Sequence, residues 1–372
     1  MIRDPSSVID RVEIFGVAIP LVGRGFKNAY LTKTAQKSAL VRLTAADGSI
    51  GLGNIDPSPG YSTETIEQNL EALKGKLAGV VRGQDAGNPH RVAEAMDAAL
   101  AGFLDAKAAI EMACVDLTAR RLGIPVHQYL GGALVERVRF NAWIGIELPE
   151  VAAEETRKWF DRGFRSAKIK VGGGVAADRD RVKAVREACP SMNLRVDANA
   201  GYGVEDAIAL GKLLEPFNLQ LFEQPVAADD LAGMAKVRGS IGTPVMADES
   251  ITDHGSLIAV IRAGSADIVK LKVMKQGGFL KCRRMLETAS AAGLGVVIGH
   301  GFGLGVNTVA EIMLAATSRA VLEGLECVGP LKTADDIVTS KLDLSRGEIA
   351  LPGGPGLGVA LDVDKVAKYR FD

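Results

Sequence analysis

The sequence predicts an α/β protein: a (β/α)8 barrel preceded by an α+β unit. Three observations carry this reading. From about residue 138, short apolar runs alternate with amphipathic helical stretches. Eight such runs fall within about 190 residues. Six consecutive runs carry an ionisable residue at or near their C-terminal end, one βα step from the next, as strands that all point toward one functional face would do.

The N-terminal unit reads as strands followed by helices. Residues 38–44 are strand-like, Asp47-Gly48 is a tight-turn dipeptide and residues 49–53 return, which is a hairpin signal. Residues 62–80 and 89–122 carry apolar side chains at helical spacing, and Gly123-Ile-Pro125 ends the second stretch. The unit closes near residue 135.

The runs that follow are 139–143, 167–171, 194–199, 219–223, 244–249, 268–273, 295–300 and 322–327. Between them, 176–189 places Val182, Val185 and Ala188 on one face and stops at Pro190, and 278–292 ends at Gly293. A doubly wound sheet is the competing architecture. It normally shows a glycine-rich fingerprint after its first strand, and none follows Trp143.

Composition narrows the function. With 47% hydrophobic and 24% charged residues the chain can bury a sizeable core. Lys+Arg 44 against Asp+Glu 45 gives a net charge of −1 with no basic patch, which argues against nucleic acid or a membrane surface as partner. The first residues lack the apolar core of a signal peptide, and no apolar run reaches the roughly 18 residues of a spanning helix. Cys114, Cys189, Cys282 and Cys327 are scattered and read as buried, reduced thiols. The expectation is a cytoplasmic enzyme.

The ionisable residues at the run ends are the distinctive feature. Lys168 and Lys170 lie in the second run, Asp197 in the third, Glu223 in the fourth, Asp248 and Glu249 in the fifth, Lys272 in the sixth and His300 in the seventh. The steps from Lys170 onward are 24 to 28 residues, so one βα unit separates each charge from the next. In a barrel these side chains converge on the C-terminal face. Asp197, Glu223 and Asp248 make a hard-oxygen set suited to Mg²⁺; the competing reading is salt bridges with the flanking lysines. Lys168 and Lys170 are two apart on a strand and face the same way, and each is expected to depress the other toward a useful general base. Lys272 arrives four strands further round. Two opposed bases with a divalent cation between them suit removal of a proton α to a carboxylate.

Taken together, Lys168-Ile-Lys170, Val196-Asp197-Ala-Asn199, Phe222-Glu223-Gln-Pro225, Ala247-Asp248-Glu-Ser250 and Leu271-Lys272-Val-Met-Lys-Gln-Gly277-Gly278 resemble the enolase superfamily, in its muconate-lactonizing branch. The resemblance covers nearly the whole chain. It implies a (β/α)7β TIM-type barrel at 136–345 and a capping domain at 1–135 completed by 346–372. It also implies Mg²⁺, or Mn²⁺ in its place, on Asp197, Glu223 and Asp248. Lys170 would be the base on one face and Lys272 the acid or base on the other, with Lys168 tuning Lys170. The expected partner is a small carboxylate, acted on by a homo-oligomeric racemase, epimerase or cycloisomerase. A dehydratase on the same scaffold and a non-catalytic carboxylate binder are the alternatives.

Two departures from the family pattern stand out. The seventh run reads Gly299-His300-Gly-Phe302-Gly303-Leu-Gly305, with Gly303 where epimerases of this branch keep a Glu and His300 where the mandelate-racemase branch keeps its histidine. Lys270 shares an inward face with Lys272, where a small polar residue is usual. The glycine-rich turn at 301–305 is expected to offer backbone N–H groups to a substrate carboxylate. Asn199, Glu249, His300 and Phe302 at the strand ends form the candidate substrate-binding set. Arg24, Phe26, Tyr30 and Tyr61, in cap segments 21–30 and 54–61, complete it.

Overall fold

The structure, a computed structural model, describes residues 5–23, 26–27, 32–59 and 62–372, and the side chains of all of these except 26, 27 and 32. The N-terminal part opens with an antiparallel sheet of β1 (Ile9–Pro20), β2 (Ala35–Ala45) and β3 (Ile50–Ile55), in that order. β2 and β3 are the expected hairpin. Ala45 N donates to Ser49 O at 2.8 Å, and Gly48 takes φ +85°, which a Cβ would resist. β1 adds a strand to that hairpin, and its Arg11-Val12-Glu13-Ile14 alternation is that of a half-buried strand.

Helix α1 (Ile66–Ala72) starts at a capping box between Thr65 and Gln68. The helix expected at 89–122 is two: α2 (Pro89–Ala99) and α3 (Leu104–Leu122). Gly102 and Phe103 have φ of +70° and +52°, and two successive left-handed residues cannot continue a right-handed helix. α3 ends at Gly123 as expected. It lies directly on β3, where a Cβ at Gly51 or Gly53 would sit 2.0 Å from Ala113 O or 1.8 Å from Ala109 O. The two glycines of that strand are what let the helix approach.

The rest of the chain builds a seven-stranded parallel sheet: β4 (Asn141–Ile144), β5 (Ser166–Lys170), β6 (Asn193–Asp197), β7 (Leu221–Glu223), β8 (Val245–Ala247), β9 (Ile268–Leu271) and β10 (Gly295–Ile298). The strands neighbour one another in chain order, with none of the reversal that marks a doubly wound sheet. Between them run α4 (Pro149–Asp161), α5 (Val175–Ala188), α6 (Val204–Leu214), α7 (Leu231–Ser240), α8 (His254–Ala263) and α9 (Phe279–Ala291), with α10 (Gly305–Ala315) after β10.

The eighth run is not a regular strand. It makes isolated parallel bridges, Val321 with Val296 and Leu325 with Phe140. Glu326 N donates to Ile298 O and Asn141 N to Leu325 O, so the run hydrogen-bonds to both edge strands of the sheet. The C-terminal residues return to the N-terminal sheet, with Phe371 N donating to Gly16 O at 3.0 Å. The parallel strands and the helices around them form one large apolar core, which also takes in Ile19, Leu40 and Met112 of the N-terminal part; a second core lies within that part, and Leu221, Met246, Ile268 and Val297 form a small third one. Among the described residues no helix is long and apolar enough to cross a membrane. All four cysteines are buried and free.

Candidate active site

Register assembles the charged residues. Lys170 of β5 stands opposite Asp197 of β6, and Asp197 stands opposite Glu223 of β7. Glu223 pairs with Met246 of β8, so Asp248, two residues on, shares its side of the sheet. One level lower, Lys168 stands opposite Arg195. Period-two alternation along each strand and in-register pairing across them thus collect side chains from four strands at one mouth.

The carboxylates and lysines interlock. Lys170 Nζ lies 2.6 Å from Asp197 Oδ2 and 2.5 Å from Asn199 Oδ1. Lys168 Nζ lies 3.0 Å from Asp197, 2.9 Å from Glu223 and 2.5 Å from Glu326. Lys272 Nζ lies 2.5 and 2.7 Å from the two oxygens of Asp248. Burial resists ionisation of Asp197, yet Lys168 and Lys170 outweigh it and hold the carboxyl down at about 2. Glu223 goes the other way, to about 8, through burial and the adjacent Asp197 charge. Lys272 falls to about 8 because burial, with Lys275 and Lys270 nearby, outweighs the pull of Asp248. Lys168 departs from expectation. Despite its burial, Asp197, Glu223 and Glu326 hold it well above the ordinary lysine value, so its own expected depression is absent and its charge stays two residues from Lys170.

The loops after β6 and β7 carry strained backbone at non-glycine residues: Asn199 at φ +44°, Ala200 at +60° and Gln224 at +34°. Hydrogen bonds hold each pose, beginning with Ala200 N, which donates to Gln224 O at 2.8 Å. Asn199 N donates to Asp197 Oδ1, and its Nδ2 donates to Glu249 Oε1 at 3.0 Å. Gln224, buried, accepts from Asp248 N and Ser250 N through Oε1 and donates to Val226 O. Gln224 therefore sets where Asp248 begins, and Asn199 links Lys170 to Glu249.

His300 is buried at the end of β10, its backbone N–H held by Glu311 Oε2 at 2.7 Å. Burial, then the Lys272, Lys33 and Lys332 charges, hold its imidazole well below the ordinary value, so the ring is neutral. The glycine-rich turn does not act as expected: the Gly305 N–H at the start of α10 goes to Asp336 Oδ1 at 3.1 Å, inside the protein. Phe302 lies between two ammoniums, with Lys33 Nζ 3.6 Å and Lys332 Nζ 4.3 Å from its ring centre. Of the two segments expected to cap the mouth, 21–30 touches Lys332 on its wall and 54–61 touches the helix that follows His300. Val22 N donates to Lys332 O, and Asn307 Nδ2 donates to Asp56 Oδ2. Arg24, Tyr30 and Tyr61 lie outside the described residues, as does the side chain of Phe26.

A cavity of about 590 Å³ opens here, with Trp143, Lys170, Asn199, Lys272, His300 and Phe302 on its wall. Glu249 is not on that wall; it reaches the site through Asn199. Sequence reasoning missed Glu326 and Lys332. Glu326 follows His300 by 26 residues, the same βα step, and that spacing is the sequence signal that marks it.

The donor chemistry fits a divalent ion: Asp197, Glu223 and Asp248 are buried carboxylates at the ends of successive strands, and Glu223 is pushed toward neutrality by its burial and the adjacent Asp197 charge. As they stand, their oxygens are engaged by lysines, and among the described residues no three His, Cys, Asp or Glu side chains converge as a ready metal cluster.

Residues 11–131 match the mandelate racemase / muconate lactonizing enzyme N-terminal domain, and residues 151–366 match the enolase C-terminal domain-like family. The L-Ala-D/L-Glu epimerase of Bacillus subtilis is 31% identical over 355 residues, covering 94% of this chain and 96% of that protein. The N-succinyl Arg/Lys racemase structure from Bacillus cereus superposes with a TM-score of 0.94 at 29% identity, over 98% of each chain. A dipeptide epimerase from Enterococcus faecalis, complexed with Mg and the dipeptide L-Leu-L-Tyr, gives 0.91 at 30% identity, over 95% of this chain and 99% of that one.

Proposed function

The chain belongs to the mandelate racemase / muconate lactonizing enzyme family of the enolase superfamily, and from that premise we propose that it is a Mg²⁺-dependent racemase or epimerase of a small carboxylate such as an amino-acid derivative. Its relatives named above are isomerases, and so is this chain. The catalytic unit in this reading is a (β/α)7β barrel at 136–345. The eighth run completes it, and residues 1–135 with 346–372 form the cap.

One observation carries the proposal. Lys170 and Lys272 line the same cavity from strands four apart in sheet order, hence from opposite walls of the barrel. A substrate carbon between them presents one face to each amine. Lys272, held near 8 by burial, has a free-base fraction at neutral pH and takes the α-proton from one enantiomer. The C–H electron pair moves into the carboxylate, and Lys170 delivers a proton to the opposite face. For the other enantiomer the roles exchange.

Asp197, Glu223 and Asp248 would hold the Mg²⁺. When bound, the ion supplies positive charge to the carboxylate oxygens as negative charge gathers on them. Asn199 and Asp197 aim Lys170, and Asp248 aims Lys272. Lys168, kept charged, adds electrostatic stabilisation one level below. Trp143 and Phe302 supply apolar wall that excludes water, and neutral His300 contributes a hydrogen-bonding edge rather than a proton.

The test is solvent ²H incorporation at Cα, followed by mass spectrometry, across N-acylated amino acids, dipeptides and acid sugars with Mg²⁺ present. The reading requires exchange with at least one carboxylate, abolished by chelation and restored by Mg²⁺. Exchange that survives chelation rejects the metal assignment. A dehydrated product from an acid sugar would assign the chain to the dehydratases instead.

A further inference from the structure

The positive charge already inside the carboxylate cradle is unusual for a site that must take up a divalent cation. Lys270 is buried, and its Nζ lies 3.0 Å from Glu223 Oε1 and 3.8 Å from Asp248 Oδ2, while also contacting Glu326 Oε2. Lys168 takes the other Glu223 oxygen at 2.9 Å and Asp197 at 3.0 Å. Each of the three acids assigned to the metal thus has an ammonium within 4 Å. Four carboxylates, with Glu326 the fourth, meet five ammoniums (Lys168, Lys170, Lys270, Lys272, Lys275) and the Arg195 guanidinium. The cluster carries excess positive charge before any metal enters.

We propose that the Lys270 ammonium is a resident cation of the cradle that competes with the divalent ion, and that Glu326 is the acid that draws it aside. The inference rests on the metal assignment above. Lys270 and a divalent ion are drawn to the same Glu223 and Asp248 oxygens, and in a buried, poorly screened site their mutual repulsion is strong. Glu326 touches Lys168 and Lys270 together and is itself held by Arg195 at 3.1 Å. It is thus placed to keep both ammoniums when the other three acids turn to a metal. The arrangement makes this chain a weak binder of free metal compared with the same site carrying a neutral residue at 270.

The experiment is calorimetric titration of Mn²⁺ and Mg²⁺ into the metal-free full-length protein, with no substrate and no activity readout. Lys270→Ser and Lys270→Met should each bind Mn²⁺ at least ~10-fold more tightly than the parent, and Glu326→Gln should bind several-fold more weakly. Equal, measurable affinities in the parent and both Lys270 variants would overturn the inference while leaving the metal assignment intact. No binding by any of the proteins would overturn both. If circular dichroism shows both Lys270 variants unfolded, Glu326→Gln decides alone: affinity equal to or above the parent rejects the proposal.

Discussion

Lys272 Nζ sits within 2.7 Å of both oxygens of Asp248, a two-point contact that fixes an amine at the end of β9 against an acid at the end of β8. In the proposed mechanism the pair ties proton transfer to cation binding, because removing the acid's charge disturbs both. Asp248→Asn should therefore abolish measurable Mg²⁺ binding and lower α-proton exchange by about 10² or more, with far-UV circular dichroism unchanged. Unchanged exchange in this variant would remove Asp248 from the site.

His300 separates racemisation from dehydration. Its neutral ring, beside three lysines, is a poor proton carrier but can hydrogen-bond a substrate. His300→Asn should raise KM with α-proton exchange within about tenfold of the parent. If exchange is lost with KM unchanged, His300 is a base and the two-lysine mechanism is wrong. If exchange persists while turnover to product stops by about 10²–10⁴-fold, the chain is a dehydratase.

Much of this was legible in the sequence, for a physical reason. Strand periodicity and βα spacing are local, so the levels of Lys170, Asp197, Glu223 and Asp248 follow from counting, and the first three pair in register as counted. What depends on three-dimensional neighbours was not legible. The depression expected of Lys168 and Lys170 weighs two ammoniums and a nearby cation but not the three acids from other strands that hold Lys168 up. The break between α2 and α3 turns on two left-handed residues that the apolar spacing conceals. The amide at the head of α10 was claimed for substrate, yet Asp336, far along the chain, takes it.

The join between β3 and α3 is a stability prediction. Gly53→Ala would force a Cβ to within 1.8 Å of the Ala109 carbonyl oxygen, and no flexible side chain is there to yield. The expected loss is about 3 kcal/mol, seen as a lower Tm with the α-proton chemistry of the surviving folded protein intact. A Tm within a degree of the parent would show that the sheet and helix separate more easily than their contact suggests.

Glu111 gives a pH-dependent prediction remote from the proposed metal ligands. Buried in α3, it accepts from Phe279 N and Leu280 N at the start of α9, and burial pushes its carboxyl up to about 7. A folded-state value above the unfolded one means that the native state holds the proton more tightly. The stabilisation is complete below about 4.5 and is lost as pH rises through about 7. Glu111→Gln removes this group's share. The Tm advantage of the parent over the variant should shrink or reverse between pH 5 and pH 8, by an amount equivalent to at most about 3 kcal/mol. A difference that is flat or grows with pH would contradict the assignment.

The central claim is that Lys170 and Lys272 serve opposite faces of one carbon, and stereospecific exchange tests it most directly. With a substrate found by ²H incorporation, the α-proton of each enantiomer is followed separately in Lys170→Ala and Lys272→Ala. The account predicts complementary losses: one variant ceases to exchange one enantiomer but still exchanges the other, and the second variant does the reverse. If either variant exchanges both enantiomers at the parental rate, that lysine touches neither proton and the two-base account is contradicted.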